Sequence, residues 1–191
     1  MAKESEVKLN SDEMTSMTVS AFLEKLASDE PVPGGGSVAA LSGSLGAALI
    51  AMYGRIGLHN KNISVEGQTI LQDAVTKATQ FQSQLAAMIT EDSRAFGQVM
   101  ASFKLPKTTD EEKKARQSAI QSAFQKAVDA PMETLRMCVE AMALIPRVGP
   151  HGNPSAFSDL KVAQYMCQAG AKAALENIDI NLPSIKDAKF L

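Results

Sequence analysis

Residues 37–57 read Ser-Val-Ala-Ala-Leu-Ser-Gly-Ser-Leu-Gly-Ala-Ala-Leu-Ile-Ala-Met-Tyr-Gly-Arg-Ile-Gly, and Pro31-Val32-Pro33-Gly34-Gly35-Gly36 stands directly before them. No charge occurs from Val38 to Gly54, so the run must be either a membrane span or the central helix of a packed bundle. Arg55 arrives before a twenty-residue span is complete, and the run is rich in Ala, Gly and Ser. Both features favour the buried helix. Ser37 is a plausible N-cap, and the helix is expected to run to about Leu58. Ala39, Gly43, Ala47 and Ala51 recur at four-residue spacing. A stripe of that kind lets another backbone approach closely, either a neighbouring helix or a symmetry mate.

The rest of the chain extends this reading. No segment alternates apolar and polar residues over strand length, which predicts an all-α, single-domain helical bundle of long antiparallel helices that dimerises through helices. A first helix is expected over Val19–Ser28, with Phe22, Leu23 and Leu26 on one face. A very long one follows over Val65–Lys104, with the apolar stripe Leu71, Ala74, Ala78, Phe81, Leu85, Met88, Ala95, Phe96, Val99 and Phe103. Pro106 ends it. Thr108 and Thr109 each precede a glutamate by three residues, the pattern of a capping box. The next helix carries Ile120, Ala123, Phe124, Ala127 and Val128, is expected to kink at Pro131, and continues through Leu135, Cys138, Val139, Met142 and Ile145. A loop is expected from Pro146 to Asn153, then a last long helix from Asn153-Pro154 to about Asn177.

Composition limits the function classes. The chain has 191 residues, 45% hydrophobic and 21% charged, and a formal net charge of −2. That is one domain with a sizeable core, too apolar for disorder and without the basic field that nucleic acid requires. Residues 1–16 are polar, lack a secretory apolar region and read as a flexible tail, leaving 17–191 as the folded domain. Cys138 and Cys167 sit among apolar residues with no metal-ligand spacing and read as reduced thiols. His59 and His151 form no metal-binding pattern. A cytoplasmic protein with no membrane or nucleic-acid partner and no metal is expected.

Three constellations are candidates for chemistry. Gly34, Gly35, Gly36 and Ser37 open a helix, whose free N–H groups and partial positive charge suit an anion, although a tight turn would use the same residues. No Gly-Lys-Ser/Thr closes the loop and no strand precedes it, so it is not a nucleotide loop. Asp92 is the second. The seven-residue step through Leu71, Ala78 and Leu85 lands on it before Val99 resumes, so a carboxylate interrupts the core seam. It reads as a satisfied buried Asp, as a break where the helix emerges into solvent, or as a general base or cation-stabiliser in an interhelical pocket. Glu91 and Arg94 should project toward other faces. Third, Asn153, Ser158 and Asp159 fall at the start of the last helix, where capping explains Asn153 more readily than the Ser158–Asp159 pair.

Taken in order, Phe22-Leu23 and Leu26-Ala27-Ser28, Pro31 to Leu41, Glu91 to Phe96, Lys104-Leu105-Pro106-Lys107, Asn153-Pro154, Ser158-Asp159, and Asn177 with Asn181-Leu182 resemble the cyclodeaminase/cyclohydrolase family. That family comprises stand-alone methenyltetrahydrofolate cyclohydrolases and the C-terminal half of formiminotransferase-cyclodeaminase. The stretches 58–62 and 147–151 depart from the family's pattern. The resemblance implies an all-helical homodimer acting on one-carbon derivatives of tetrahydrofolate, with no cofactor beyond that substrate. It implies catalytic roles for Asp92 and Asp159, and substrate contacts from Gly34, Gly35, Gly36, Ser37, Asn153 and Ser158. It also makes Lys61, Lys104 and Lys107 candidates for the anionic glutamate tail. Cyclohydrolase is the leading expectation, formiminotetrahydrofolate cyclodeaminase the second. A non-catalytic folate-binding or helical interaction protein is the alternative from another class.

Overall fold

The computed structural model describes residues 13–188 and residue 190. Six α-helices follow one another: α1 Glu13–Ser16, α2 Val19–Leu26, α3 Gly35–Leu58, α4 Val65–Phe103, α5 Asp110–Val148 and α6 Phe157–Asn181. Short 3-10 turns at Gly149–His151, Pro154–Ala156 and Leu182–Ser184 complete the described chain, which among the described residues contains no strand.

Cross-contacts fix the topology. Ser44 Oγ donates to the Gln82 carbonyl at 2.9 Å and Arg55 Nη2 to Thr79 Oγ1 at 2.9 Å, so α4 descends as α3 rises. Gly43 faces Cys138, and Tyr53 Oη donates to the Gly149 carbonyl at 3.0 Å, so α5 rises beside α3. Gly46 faces Cys167 while Gly35 lies beside Asn177, so α6 descends again. The result is an up-down-up-down bundle with α3 in its centre. Although α3 is long and apolar enough to cross a membrane, more than half of its most apolar window is buried inside the protein.

The small-residue stripe of α3 works inside the chain. A Cβ on Gly43 would lie 2.5 Å from Cys138 Sγ, and one on Gly46 2.4 Å from Cys167 Sγ and 2.8 Å from the Ala163 carbonyl. Gly170 of α6 answers from the other side, where a Cβ would meet the Ala39 carbonyl at 2.8 Å and the Gly43 nitrogen at 2.9 Å. Backbones this close leave room for thiols and methyls only, and both cysteines are fully buried. Burial pushes the Cys138 thiol up to about 11 and Cys167 to about 12, so both remain neutral small hydrophobes. Of the two partners open to the stripe, the neighbouring helices of the same chain are the ones seated on it.

Local signals hold in most places. Thr109 caps α5, its Oγ1 accepting from the Glu112 N–H while the Glu112 carboxylate accepts from the N–H groups of Thr108 and Thr109. The expected loop at Pro146 starts later. α5 runs unbroken through Pro131 and Pro146 to Val148, which is fully buried against the core of Ile50, Tyr53, Leu71 and Leu160. Burying that last turn keeps it helical although Pro146 removes one donor. Asn153 caps a 3-10 turn, with Oδ1 accepting from the Ser155 N–H at 2.9 Å, and α6 begins only at Phe157. On α2, Phe22 is buried but Leu23 is exposed.

Residues 1–12 of the expected tail lie outside the described residues. Residues 13–16 form α1, and Met14 is buried beside Phe22, Val32, Ala40 and Ile89.

Helix length shapes the functional end. α4 and α5 have 39 residues each against 24 in α3. At 1.5 Å per residue the pair outruns α3 by about 20 Å. Where α3 begins, at Gly35, the position it fills further along the bundle is left open between α4, α5 and the end of α6.

The close approach of α3 and α6 yields a direct expectation. Gly170→Ala should cost about 1–3 kcal/mol in denaturant unfolding, because its Cβ meets backbone that cannot rotate away. Gly149→Ala, at helical backbone angles and with its Cβ 3.9 Å from its nearest neighbours, should change stability by less than about 1 kcal/mol.

Candidate active site

The open position is a cleft of about 450 Å³. Its floor is the start of α3, with Gly34, Gly35, Gly36 and the Asp92 carboxyl of α4. Its walls are Phe96, Val99, Met100 and Phe103 of α4, Phe124 and Ala127 of α5, and Asn177, Ile180 and Asn181 of α6. Phe96, Met100, Phe103 and Ile180 are exposed apolar side chains that in a closed bundle would be core. Phe103 and Phe124 meet edge to face, with ring centroids 6.1 Å apart.

Asp92 sits against the N-terminus of α3. Its Oδ2 accepts from Ser37 Oγ at 3.0 Å, and the Ser37 N–H also bonds to the carboxylate. Ser37 is thus the third residue of the helix rather than its cap. Gly34 is the N-cap, has no side chain to offer, and leaves the role to a carboxylate from another helix. Gly36 makes this possible: a Cβ there would fall 1.9 Å from Asp92 Oδ1 and 2.5 Å from its Cγ. The anion expected at the glycine turn is therefore in part the protein's own. Gly35 and Gly36 keep N–H groups that a first helical turn leaves without intrahelical partners, and both residues line the cleft.

Burial is the largest influence on Asp92 and pushes its pKa above the ordinary carboxylate value of 3.8; the two bonds from Ser37 pull the other way. Glu91 and Arg94 lie on another face of α4, as expected, where they pair with each other. The carboxyl is half-buried and opens on an apolar cleft, the arrangement that favours a proton acceptor near neutral pH.

The structure divides the expected site residues between the two ends of the bundle. Asp92, Gly34, Gly35 and Gly36 meet in the cleft. Ser37 is fully buried beneath Asp92, so it touches the carboxylate instead of a ligand. Lys104 is the C-cap of α4, one residue past the cleft wall at Phe103, and Lys107 lies in an adjoining hollow with Lys113, Arg116 and Lys186. Arg116 links the two spaces. Its Nη2 donates to the Phe103 carbonyl at 3.2 Å, and its guanidinium lies 5.8 Å from the centre of the Phe103 ring.

Lys61, Asn153, Ser158 and Asp159 belong to the other end. Asp159 is in the first turn of α6, whereas Asn177 and Asn181 reach the cleft from its last turns. The eighteen-residue step from Asp159 to Asn177 puts them about 27 Å apart along the helix. Lys61 follows the far end of α3, about 36 Å from Gly35. An antiparallel bundle imposes this separation, since α6 must start where α3 stops. Within one chain these four residues do not reach the substrate that Asp92 would act on.

Asn177 and Asn181, which belong to the family resemblance but carried no expected site role, also line the cleft. Asn177 Nδ2 donates to the Ala173 carbonyl at 2.8 Å, and Asn181 Nδ2 to the Asn177 carbonyl at 2.8 Å. Their amide oxygens are left to serve as acceptors in the cleft. Their place in the last turn of a helix that must descend beside α3 was the available signal. Another hollow, lined by Ile145, Phe157, Leu160 and Lys161, lies at the far end and holds no carboxylate. Among the described residues no three His, Cys, Asp or Glu side chains converge as metal ligands do.

Residues 18–191 match the family model described as formiminotransferase-cyclodeaminase. The methenyltetrahydrofolate cyclohydrolase of Methylorubrum extorquens is 39% identical over 173 residues, covering 91% of this chain and 83% of that protein. The formimidoyltransferase-cyclodeaminase of Gallus gallus is 36% identical over 170 residues, covering 89% of this chain and 31% of that protein, so the chain spans about a third of it. The crystal structure of formiminotetrahydrofolate cyclodeaminase from Thermotoga maritima superposes with a TM-score of 0.81, covering 93% of this chain and 84% of that one. At 24% identity that likeness establishes the fold.

Asp92 gives a pH-dependent stability difference of defined sign. A raised native pKa means that the folded state holds a proton the unfolded chain has released, so stability falls as pH rises from 3.8 through the native value. In urea titrations the lead of wild type over Asp92→Asn should therefore shrink across that window. A lead that grows with pH contradicts the assignment.

Proposed function

The chain belongs to the formiminotransferase-cyclodeaminase family, and we propose that it is a methenyltetrahydrofolate cyclohydrolase, converting 5,10-methenyltetrahydrofolate to 10-formyltetrahydrofolate. The observation that carries the reading is the half-buried Asp92 carboxyl at the floor of an aromatic-walled cleft. Similarity to a stand-alone cyclohydrolase over 83% of that protein's length supports the choice.

The chemistry follows from the substrate's charge. The methenyl carbon bridging N5 and N10 is cationic, and an ionised Asp92 beside it stabilises that charge in a site with little competing water. Water adds to the carbon, and Asp92 takes one of its protons. The tetrahedral centre then opens: the bond to N5 breaks, N5 gains a proton, and the hydroxyl loses its own as the N10-formyl carbonyl forms. One proton is released overall. Phe96, Phe103 and Phe124 offer aromatic faces to the planar parts of the substrate. The amide oxygens of Asn177 and Asn181 accept from pterin N–H groups, and the N–H groups of Gly35 and Gly36 donate to a substrate oxygen. Lys104, Lys107 and Arg116 receive the anionic tail beyond the Phe103 wall. Asp159 is assigned no step. No cofactor other than the folate is required.

Formiminotetrahydrofolate cyclodeaminase is the second reading, favoured by the likeness to formimidoyltransferase-cyclodeaminases over 89% of this chain. The same carboxylate would there assist N10 attack on the formimino carbon and departure of ammonia. A homodimer is also inferred; exposed Leu45, Val139, Val162 and Tyr165 on α3, α5 and α6 supply apolar surface for it. A cytoplasmic location accords with two unpaired, buried thiols.

Loss of the methenyl near-ultraviolet absorbance on adding enzyme should report the first activity, and ammonia release from the formimino substrate the second. Asp92→Asn should lower kcat about 10²–10⁴-fold with the fold intact. Full rate in that variant removes Asp92 from the mechanism. The acid limb of kcat/KM should lie above the ordinary carboxylate value of 3.8, because Asp92 must be ionised and burial raises its pKa. Bound cationic substrate should shift the kcat limb to lower pH than the kcat/KM limb.

Replacing both Lys107 and Arg116 by Gln should raise KM about tenfold and leave kcat within about twofold. An unchanged KM would remove these cations from substrate binding.

A further inference from the structure

Beneath Asp92 lies a hydroxyl cluster that holding the helix together does not require. Ser37 and Ser93 are both fully buried. Ser37 Oγ has three oxygens within reach: the Ile89 carbonyl at 3.0 Å, Asp92 Oδ2 at 3.0 Å and Ser93 Oγ at 3.2 Å. Ser93 Oγ lies in turn 3.3 Å from Met14 Sδ. A hydroxyl carries one hydrogen and accepts through two lone pairs, so these contacts cannot all be satisfied at once. Ser37 must choose between Ile89 and Asp92, and Ser93 between Ser37 and Met14.

We propose that Ser37 and Ser93 are positioning residues that form a two-link hydroxyl relay, turning with the charge of Asp92 and setting the pH at which it gains and loses its proton. With Asp92 ionised, the Ser37 hydrogen points to Oδ2 and Ser93 donates to Ser37, strengthening the first bond by polarising it. With Asp92 neutral, the charge-assisted bond is gone. The Ser37 hydrogen then turns to the second lone pair of the Ile89 carbonyl, and the Ser93 hydrogen to Met14 Sδ. Each hydroxyl keeps its own hydrogen and only rotates, so no proton leaves the cluster and no buried donor is left without an acceptor in either state. A carboxyl that must change charge in every turnover gains a floor that accommodates both of its forms. Among the described residues, bonds on this carboxylate come from α3, through the Ser37 hydroxyl and N–H. The cleft-lining groups of α5 and α6 are Phe124, Ala127, Asn177, Ile180 and Asn181, which carry no charge, and the nearest charges on α4, Glu91 and Arg94, pair with each other. Among the described residues the relay is therefore an adjustable influence on Asp92 from inside the bundle.

This inference rests on the reading of Asp92 as the proton acceptor, and the test separates the two. Activity of Asp92→Asn tests that reading. The relay is tested by the acid limb of kcat/KM in Ser37→Ala, Ser93→Ala and the double variant. Ser37→Ala should move the limb up by about one pH unit, the difference between a charge-assisted and a neutral hydrogen bond. Ser93→Ala should move it in the same direction by less, and the double variant no further than Ser37→Ala alone, since Ser93 acts through Ser37. KM at the pH optimum should stay within about twofold in both single variants, as neither side chain touches the cleft. A merely structural role would lower Tm and leave the limb in place. Limbs unmoved in the single variants, or a Ser93→Ala shift undiminished when Ser37 is already Ala, overturn the relay. If Ser37→Ala does not fold, Ser93→Ala decides alone: an upward shift supports the relay and an unmoved limb overturns it.

Discussion

The contact between Asp92 and the first turn of α3 is the constraint on which the rest of the site depends. A helix start leaves several N–H groups without partners, and burial makes that costly. Here the Ser37 N–H and hydroxyl both turn to a carboxylate delivered by α4, which approaches closely because Gly36 has no side chain. The bond joins two helices, caps one of them, and places a half-buried acid at the edge of an open cleft. Its proton affinity is the outcome of two opposed effects, burial raising it and the α3 bonds lowering it.

Helix length turns that contact into a site. Were α4 and α5 no longer than α3, Asp92 would lie at the end of the bundle facing solvent. Because both run on, Phe96, Phe103 and Phe124 stand beyond α3 and wall an open cleft, and the last turns of α6 close the third side. The same overhang brings Arg116 over Phe103, so that cationic side chains begin where the aromatic wall ends. A planar cationic substrate with an anionic extension would meet groups of matching character in that order.

Much of this was legible in the sequence, for definite physical reasons. The seven-residue step through Leu71, Ala78 and Leu85 predicts the buried face of α4 and singles out Asp92, because helical periodicity fixes which residues share a face. Thr109 with Glu112 predicts the start of α5 through purely local bonds. What the sequence hid is relative position along the bundle. Lys61, Ser158 and Asp159 carry the right chemistry but fall at the opposite end, a matter of antiparallel packing that no local pattern records. Phe96 and Phe103 continue the core stripe in sequence and line a cleft in the fold, because α3 ends before reaching them. Ser37 reads as a cap, yet the cap comes from Asp92, fifty-five residues later in the chain.

The central claim is that one carboxyl, Asp92, governs both the electrostatics of the cleft and the rate. Titrating that carboxyl directly, by the pH-dependent infrared carbonyl band present in wild type and missing from Asp92→Asn, tests it most directly. The account predicts a midpoint above the ordinary carboxylate value that coincides with the acid limb of kcat/KM. A midpoint at or below 3.8, or one that differs clearly from the kinetic limb, would contradict it.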